Sequence, residues 1–260
     1  MRYRYQNAAT LKDRAKGYLD GNYMTCVKAV LVFEAVRFLL VYGLSLLDYS
    51  IEKAFPVLSS GTGQVVATVV YWVASVALGA FINMMLAGMA LICLKLSSGQ
   101  VAVFADLLEG YRTNPERTFL ISLGISVPQN LVLLPFDLIF GAYLRDYASA
   151  RIPALVISGI LGFGLAIFFS LSLGLGYFLM YDFPSLSASD TLRETWKRMK
   201  GHKARLLTLE LSFIPMLLLV VLSFGIGYFW VFPYMEETIA LFYLDMMNPQ
   251  PVSDTWERTV

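Results

Sequence analysis

Charge along this chain sits in short blocks, and the long intervals between the blocks are apolar. No Asp, Glu, Lys or Arg occurs between Lys53 and Lys95, from Thr118 to Phe136, from Ile152 to Tyr181, or from Leu211 to Met235. A helix needs about 20 apolar residues to cross roughly 30 Å of hydrocarbon. The pattern therefore predicts an all-α, polytopic membrane helical bundle of about six spans, near 24–47, 66–94, 118–142, 153–181, 205–225 and 228–246. The second and fourth are long enough to tilt or kink. The sixth carries Glu236, Glu237 and Pro233 and is the weakest. The first, from Met24 to Leu47, follows a long basic amphipathic stretch and exceeds the apolar core of a cleaved signal, so it reads as a retained span.

A positional repeat emerges when the polar blocks are compared. Leu11, Ala15 and Tyr18 share a helical face before Gly21; Val101, Phe104 and Leu108 do so before Gly110; Leu192, Trp196 and Met199 do so before Gly201. Each stretch reads as an amphipathic elbow helix able to lie in the membrane interface, closed by a glycine that supplies a left-handed residue. Thr10-x-x-Asp13 and Ser187-x-x-Asp190 have the spacing of a capping box. The expected organisation is three units, each an elbow followed by a two-span hairpin, forming one transmembrane domain over residues 1–250 with a short cytoplasmic tail at 251–260.

Placement of Lys and Arg orients the bundle. With a cytoplasmic N-terminus, the inner segments hold Arg2, Arg4, Lys12, Arg14, Lys16, Lys95, Arg112 and Arg117. They also hold Arg193, Lys197, Arg198, Lys200, Lys203, Arg205 and Arg258, against Lys53, Arg145 and Arg151 outside. Both termini are thus expected on the cytoplasmic side of the cell membrane, in keeping with an even number of spans.

Composition sharpens this picture. Of 260 residues, 57% are hydrophobic and 15% charged, with mean hydropathy +0.63, where a soluble domain carries roughly 25% charged residues. A net charge of +1 says nothing about nucleic acid or acidic substrates, and no nucleic-acid partner is expected. Cys26 and Cys93, without a metal-ligand pattern, read as small packing residues, and the lone His202 builds no metal site. No cofactor is expected, and Walker, HExxH and GxSxG motifs are absent.

The C-terminal third carries Asp182-Phe-Pro-Ser-Leu-Ser-Ala-Ser-Asp, Arg198-Met-Lys-Gly-His-Lys, Leu211-Ser-Phe-Ile, Phe224-Gly-Ile-Gly, Val231-Phe-Pro-Tyr-Met and Phe242-Tyr, in that order. Upstream stand Leu19-x-Gly-Asn22-Tyr, Leu96-x-x-Gly99 and Phe104-x-Asp-Leu107-x-x-Gly110-Tyr. Together these resemble the domain-of-unknown-function 975 family of bacterial integral membrane proteins, over about half of the chain. The region from Ile125 to Gly164 fits the family pattern less closely. The resemblance implies a multi-span membrane protein, usually of Gram-positive bacteria, and implies no activity.

Three polar features interrupt the apolar runs. Glu34 and Arg37 lie one turn apart near the middle of the first span, where a charge costs about 2.5 kcal/mol or more. They form either a ligand or ion site or, as the preferred reading, a self-neutralising structural pair. Asp137 follows Gln129 and Asn130, with Pro128 and Pro135 beside them. This segment either lines a cavity along a broken helix or, preferably, ends its span near Leu134 and leaves Asp137 in an outer interfacial segment. Glu236 and Glu237 diverge by about 100° around a helix, so at most one of them faces the interior, with Arg37 as its candidate partner; Glu236 is taken as the pathway candidate. Glu210 is expected to pair with Lys203 or Arg205. The basic elbow of Arg193, Lys197, Arg198, Lys200 and Lys203 reads as a positive-inside anchor or an anionic-lipid site.

The leading functional expectation is a non-catalytic membrane bundle that binds lipid or a membrane-protein partner. A small transporter or channel with a polar cavity around Glu34 and Arg37 is the alternative. An intramembrane enzyme ranks third, because it would require converging carboxylates.

Overall fold

The computed structural model describes residues 3–54, 61–146 and 151–251. Residues 252–260 of the expected tail, with Arg258, and residues 55–60 of the first predicted outer turn lie outside the described residues. The helices in chain order are α1 (Ala8–Leu19), α2 (Tyr23–Ala54), α3 (Gly61–Ser97), α4 (Glu109–Arg112), α5 (Pro115–Asp146), α6 (Ile152–Leu173), α7 (Gly176–Asp182), α8 (Ala188–Arg198), α9 (Lys203–Leu211), α10 (Ile214–Leu222) and α11 (Tyr228–Met247). A 3₁₀ turn, Phe104–Leu108, precedes α4. Two residues at each end pair antiparallel, β1 (Tyr3–Arg4) with β2 (Gln250–Pro251).

Five stretches are long and apolar enough to cross a membrane: Tyr23–Leu47, Val66–Ser97, Pro115–Phe140, Ile152–Asp182 and Lys203–Leu222. The expected sixth span corresponds to helix α11, which has the length but is not apolar enough to count among the five, because Glu236, Glu237 and Asp245 lie within it. Gly61, expected in an outer turn, opens α3 instead. Among the candidate spans, Val66–Ser97 is the most covered, with 61% of its apolar window buried, and Tyr23–Leu47 the least, with 11%.

The chain divides into two compact units. One comprises Met1–Leu31, Gly88–Leu107 and Lys200–Val260. There α1 packs along α11, and Leu11, Ala15 and Leu19 of α1 are buried. The first elbow therefore spends its apolar face on protein, and not on a lipid interface as expected. Gly88 touches the 3₁₀ turn so closely that a Cβ would meet the Leu107 carbonyl oxygen at 2.0 Å. Lys95 and Asp106 form a 2.7 Å ion pair that holds this turn, while Asp106 also accepts from the Val103 amide at 2.9 Å.

The other unit comprises Val32–Ala87 and Leu108–Met199. Its centre is the α5–α6 pair, brought together where a Cβ on Gly162 would stand 2.9 Å from the Val132 carbonyl oxygen. Helix α8 lies on α5, α6 and α7. Arg117 donates to the carbonyls of Pro184 and Phe183 at 3.0 and 2.9 Å and to the Thr191 hydroxyl at 3.2 Å, tying α5 to the entry of α8.

The elbow boundaries partly differ from expectation. Helix α1 is capped by Asn7, whose side chain accepts from the Thr10 amide at 2.8 Å, so Thr10 lies inside the helix and is not its cap. The third elbow matches: Ser187 caps α8 and accepts from the Asp190 amide at 3.1 Å. Gly21 and Gly201 take the left-handed conformation, at φ +78° and +88°. In the second elbow that role passes to Asn114, φ 55°, one residue before Pro115. Gly110 serves there as a contact point, since a Cβ on it would lie 2.8 Å from the Met84 carbonyl oxygen.

Candidate functional site

Glu34 and Arg37 meet as their spacing requires. Arg37 Nε donates to Glu34 Oε2 at 2.8 Å, and Nη2 lies 2.7 Å from the same oxygen. The Glu34 side chain is mostly covered, whereas that of Arg37 is 55% exposed. The pair opens an outward-facing groove of about 360 Å³ lined by Glu34, Arg37, Phe38, Val41, Tyr42 and Ser45, all on α2. These positions recur at three- and four-residue intervals, so they form a single stripe along one helix. Phe38 and Tyr42 stack within it, 5.8 Å between centroids.

Asn130 and Asp137 do not join that groove. Helix α5 continues through Pro128 and Pro135 to Asp146, so no helix end marks a boundary near Leu134. Asn130 donates to the Ser126 carbonyl of its own helix at 2.8 Å, and Asp137 is exposed on the same helix. A neighbouring polar contact, Asn83 Nδ2 to Ser126 Oγ at 3.2 Å, was not foreseen.

Of the adjacent glutamates, the structure buries Glu237 and leaves Glu236 half-buried, reversing the choice made from sequence. Glu237 is fully buried and accepts from the Ser97 hydroxyl at 2.7 Å, while its Oε2 has no hydrogen-bond partner among the described residues. Cys93 and Cys26 are both buried free thiols, as their packing role predicts. Among the described residues, no group of three or more His, Cys, Asp or Glu side chains is arranged to hold a metal ion.

On the basic elbow, Arg193, Lys197, Arg198 and Lys200 are exposed and Lys203 is half-buried. Glu194 lies 2.7 Å from Lys197 and 3.9 Å from Arg198, offsetting part of the positive charge. Arg205, one of the two expected partners of Glu210, pairs with Asp245, whose side chain is 2% exposed, and donates to the Gln6 carbonyl at 3.0 Å. Asp245 also accepts from the Gln6 amide at 3.2 Å. His202 packs edge-on against Tyr5, 5.0 Å between centroids. Burial, and next the Arg205 charge, lower its pKa below the ordinary histidine value.

Lys12 was read from sequence only as an inside charge. Its ammonium donates to the Ser212 carbonyl at 2.6 Å and sits 3.9 Å above the Phe213 ring, at the break between α9 and α10. Neither this contact nor Arg205–Asp245 has a local signature, because the partners stand 200 and 40 residues apart in the chain.

A family model described as a protein of unknown function (DUF975) matches residues 1–249. No curated protein and no solved structure matches the chain.

Proposed function

The chain belongs to the DUF975 family, whose function is unknown, and we propose that it works as a non-catalytic membrane bundle that binds a partner through its first span. The observation that carries this reading is the Glu34–Arg37 groove on the least covered of the candidate spans. A guanidinium that is more than half exposed at mid-span retains donors beyond those it gives Glu34, and hydrocarbon offers them no acceptor. A polar group on a neighbouring membrane protein, or a headgroup drawn inward, would satisfy them. Polar contacts of this kind hold membrane helices together where no hydrophobic driving force is available.

The small-transporter reading draws on the same groove. It is less favoured because a pathway takes polar residues from several helices, whereas among the described residues this lining comes from one. The exposed basic face of α8 offers a second, cytoplasmic contact with anionic lipid headgroups. The distribution of Lys and Arg supports a cytoplasmic side for both termini.

Photo-crosslinking in native membranes tests this reading, with the probe at Val41 inside the groove and at Leu39 on another face of α2. A protein or specific lipid adduct is expected at Val41 alone. It should disappear when Glu34→Arg and Arg37→Glu are combined, which preserves the internal pair but reverses its polarity. Equal, bulk-lipid labelling at both positions would overturn the proposal, and ion flux through reconstituted liposomes above empty controls would favour transport.

A further inference from the structure

Helices α9 and α10 form one arm of a helical hairpin and α11 the other. Arg205 pairs with Asp245 near the open end, and the Phe213 and Tyr234 rings meet edge-to-face at 5.2 Å halfway along. The chain turns between Ser223 and Gly227, with Phe224 and Gly225 at φ 53° and 89° and the Gly227 amide donating to Ser223 Oγ at 2.8 Å.

Helix α1 runs beside the open half of this hairpin. Gln6 is hydrogen-bonded at Asp245 and Arg205, Lys12 at Ser212, and the Tyr234 hydroxyl donates to the Lys12 carbonyl at 3.1 Å. The Tyr23 hydroxyl then reaches the Trp230 carbonyl at 2.5 Å. Asp13, Arg14, Lys16 and Asp20 are exposed along this path. Water or headgroups must therefore reach α1, and with it the open half of the hairpin.

Beyond that half the surface changes character. Phe213, Tyr234, Glu237 and Phe242 are buried, whereas Leu219, Val221, Leu222 and Ile226 are exposed and Phe224 is 97% exposed. No charged residue occurs from Leu211 to Met235. From Phe213 to Phe224 the arm reaches about 16 Å at 1.5 Å per residue, roughly half of a 30 Å hydrocarbon core. A full crossing would draw the charged side chains of α1 into hydrocarbon, which is costly for ionised groups.

We propose that this hairpin does not cross the bilayer but inserts its apolar end, around Leu217–Trp230, into a single leaflet and returns to the side it entered from. Its partner is the acyl-chain layer of that leaflet. On the orientation proposed above, this is the cytoplasmic leaflet. Four full crossings then remain, in α2, α3, α5 and α6, and the pairing of β1 with β2 on one side of the membrane is preserved. The inference is independent of the α2 groove and of any partner it takes.

Depth-dependent quenching on the full chain in phosphatidylcholine–phosphatidylglycerol liposomes tests it. A fluorophore is placed at Phe224→Cys, and at Lys16→Cys as the reference for the open half; the native thiols are buried and serve as an unlabelled control. At position 224, a nitroxide deep in the acyl chain should quench more than one at the headgroup. Impermeant maleimide should label this cysteine from neither side, while the Lys16→Cys site is quenched from water. Val221→Cys repeats the measurement if the Phe224 variant folds poorly. Labelling of position 224 from the face opposite position 16 would show a complete crossing and overturn the proposal. So would quenching of both sites from water on the same face, which would place the hairpin outside the bilayer.

Discussion

Glu34 and Arg37 show how far a residue pair can be read from spacing alone. Three residues apart on a helix, they had to be neighbours, and the structure joins them through one carboxylate oxygen. Their exposure to the surroundings of α2 could not be read in the same way, because it depends on which helices pack elsewhere. The pair makes a test at this scale. Glu34→Ala strands an arginine at mid-span, while Glu34→Ala with Arg37→Ala removes both charges. The single variant should melt lower than the double variant by roughly 5 °C, taking a few kcal/mol for the unpaired charge and about 2 °C per kcal/mol. Equal melting temperatures in detergent would dissolve the pairing. At Glu236 and Glu237, by contrast, helical geometry established only that the two diverge; the hydroxyl of Ser97, brought by α3, decided which one turns inward.

At the scale of elements, helix identity followed from the apolar runs, and the boundaries followed from the chemistry of caps. Ser187 with Asp190 was legible because a capping box is local. Thr10 was misread because Asn7, three residues earlier, is an equally good cap that the apolar pattern did not flag. The prolines of α5 were poor guides to its end, since flanking turns supply enough hydrogen bonds to carry the helix past them. Glycines divide into two physical classes. Gly201 holds a left-handed turn in open space, so Gly201→Ala should cost about 1 kcal/mol. Gly88 lies against backbone, and Gly88→Ala should cost about 3 kcal/mol or more, because the Leu107 carbonyl has no rotamer with which to yield. Thermal melting of the two purified variants should separate them in that order, and the reverse order would contradict the packing of α3 on the 3₁₀ turn.

For the whole molecule, β1 (Tyr3–Arg4) pairs with β2 (Gln250–Pro251), and in a bilayer that pairing would hold both segments on one side and make the number of full crossings between them even. Cysteines introduced at Tyr5 and Asn248 should accordingly be labelled from the same face of right-side-out vesicles; labelling from opposite faces would exclude the pairing. Helical class, the runs apolar enough to cross a membrane and membership of the family were all legible in the chain, because hydropathy and short motifs act residue by residue. Several of the motif positions prove to be structural joints: Gly201 at a turn, Asp106 in an ion pair, Phe213 and Tyr234 across a hairpin. What only the tertiary structure decided is which apolar surface meets protein and which is left for lipid. The stretch Lys203–Leu222 is long and apolar enough to count as membrane-spanning, yet α1 lies beside part of the hairpin it belongs to and brings charge with it. Hydropathy sums the residues of one segment, whereas the depth a segment can reach depends on its neighbours, and contacts across 200 positions of chain leave no local trace.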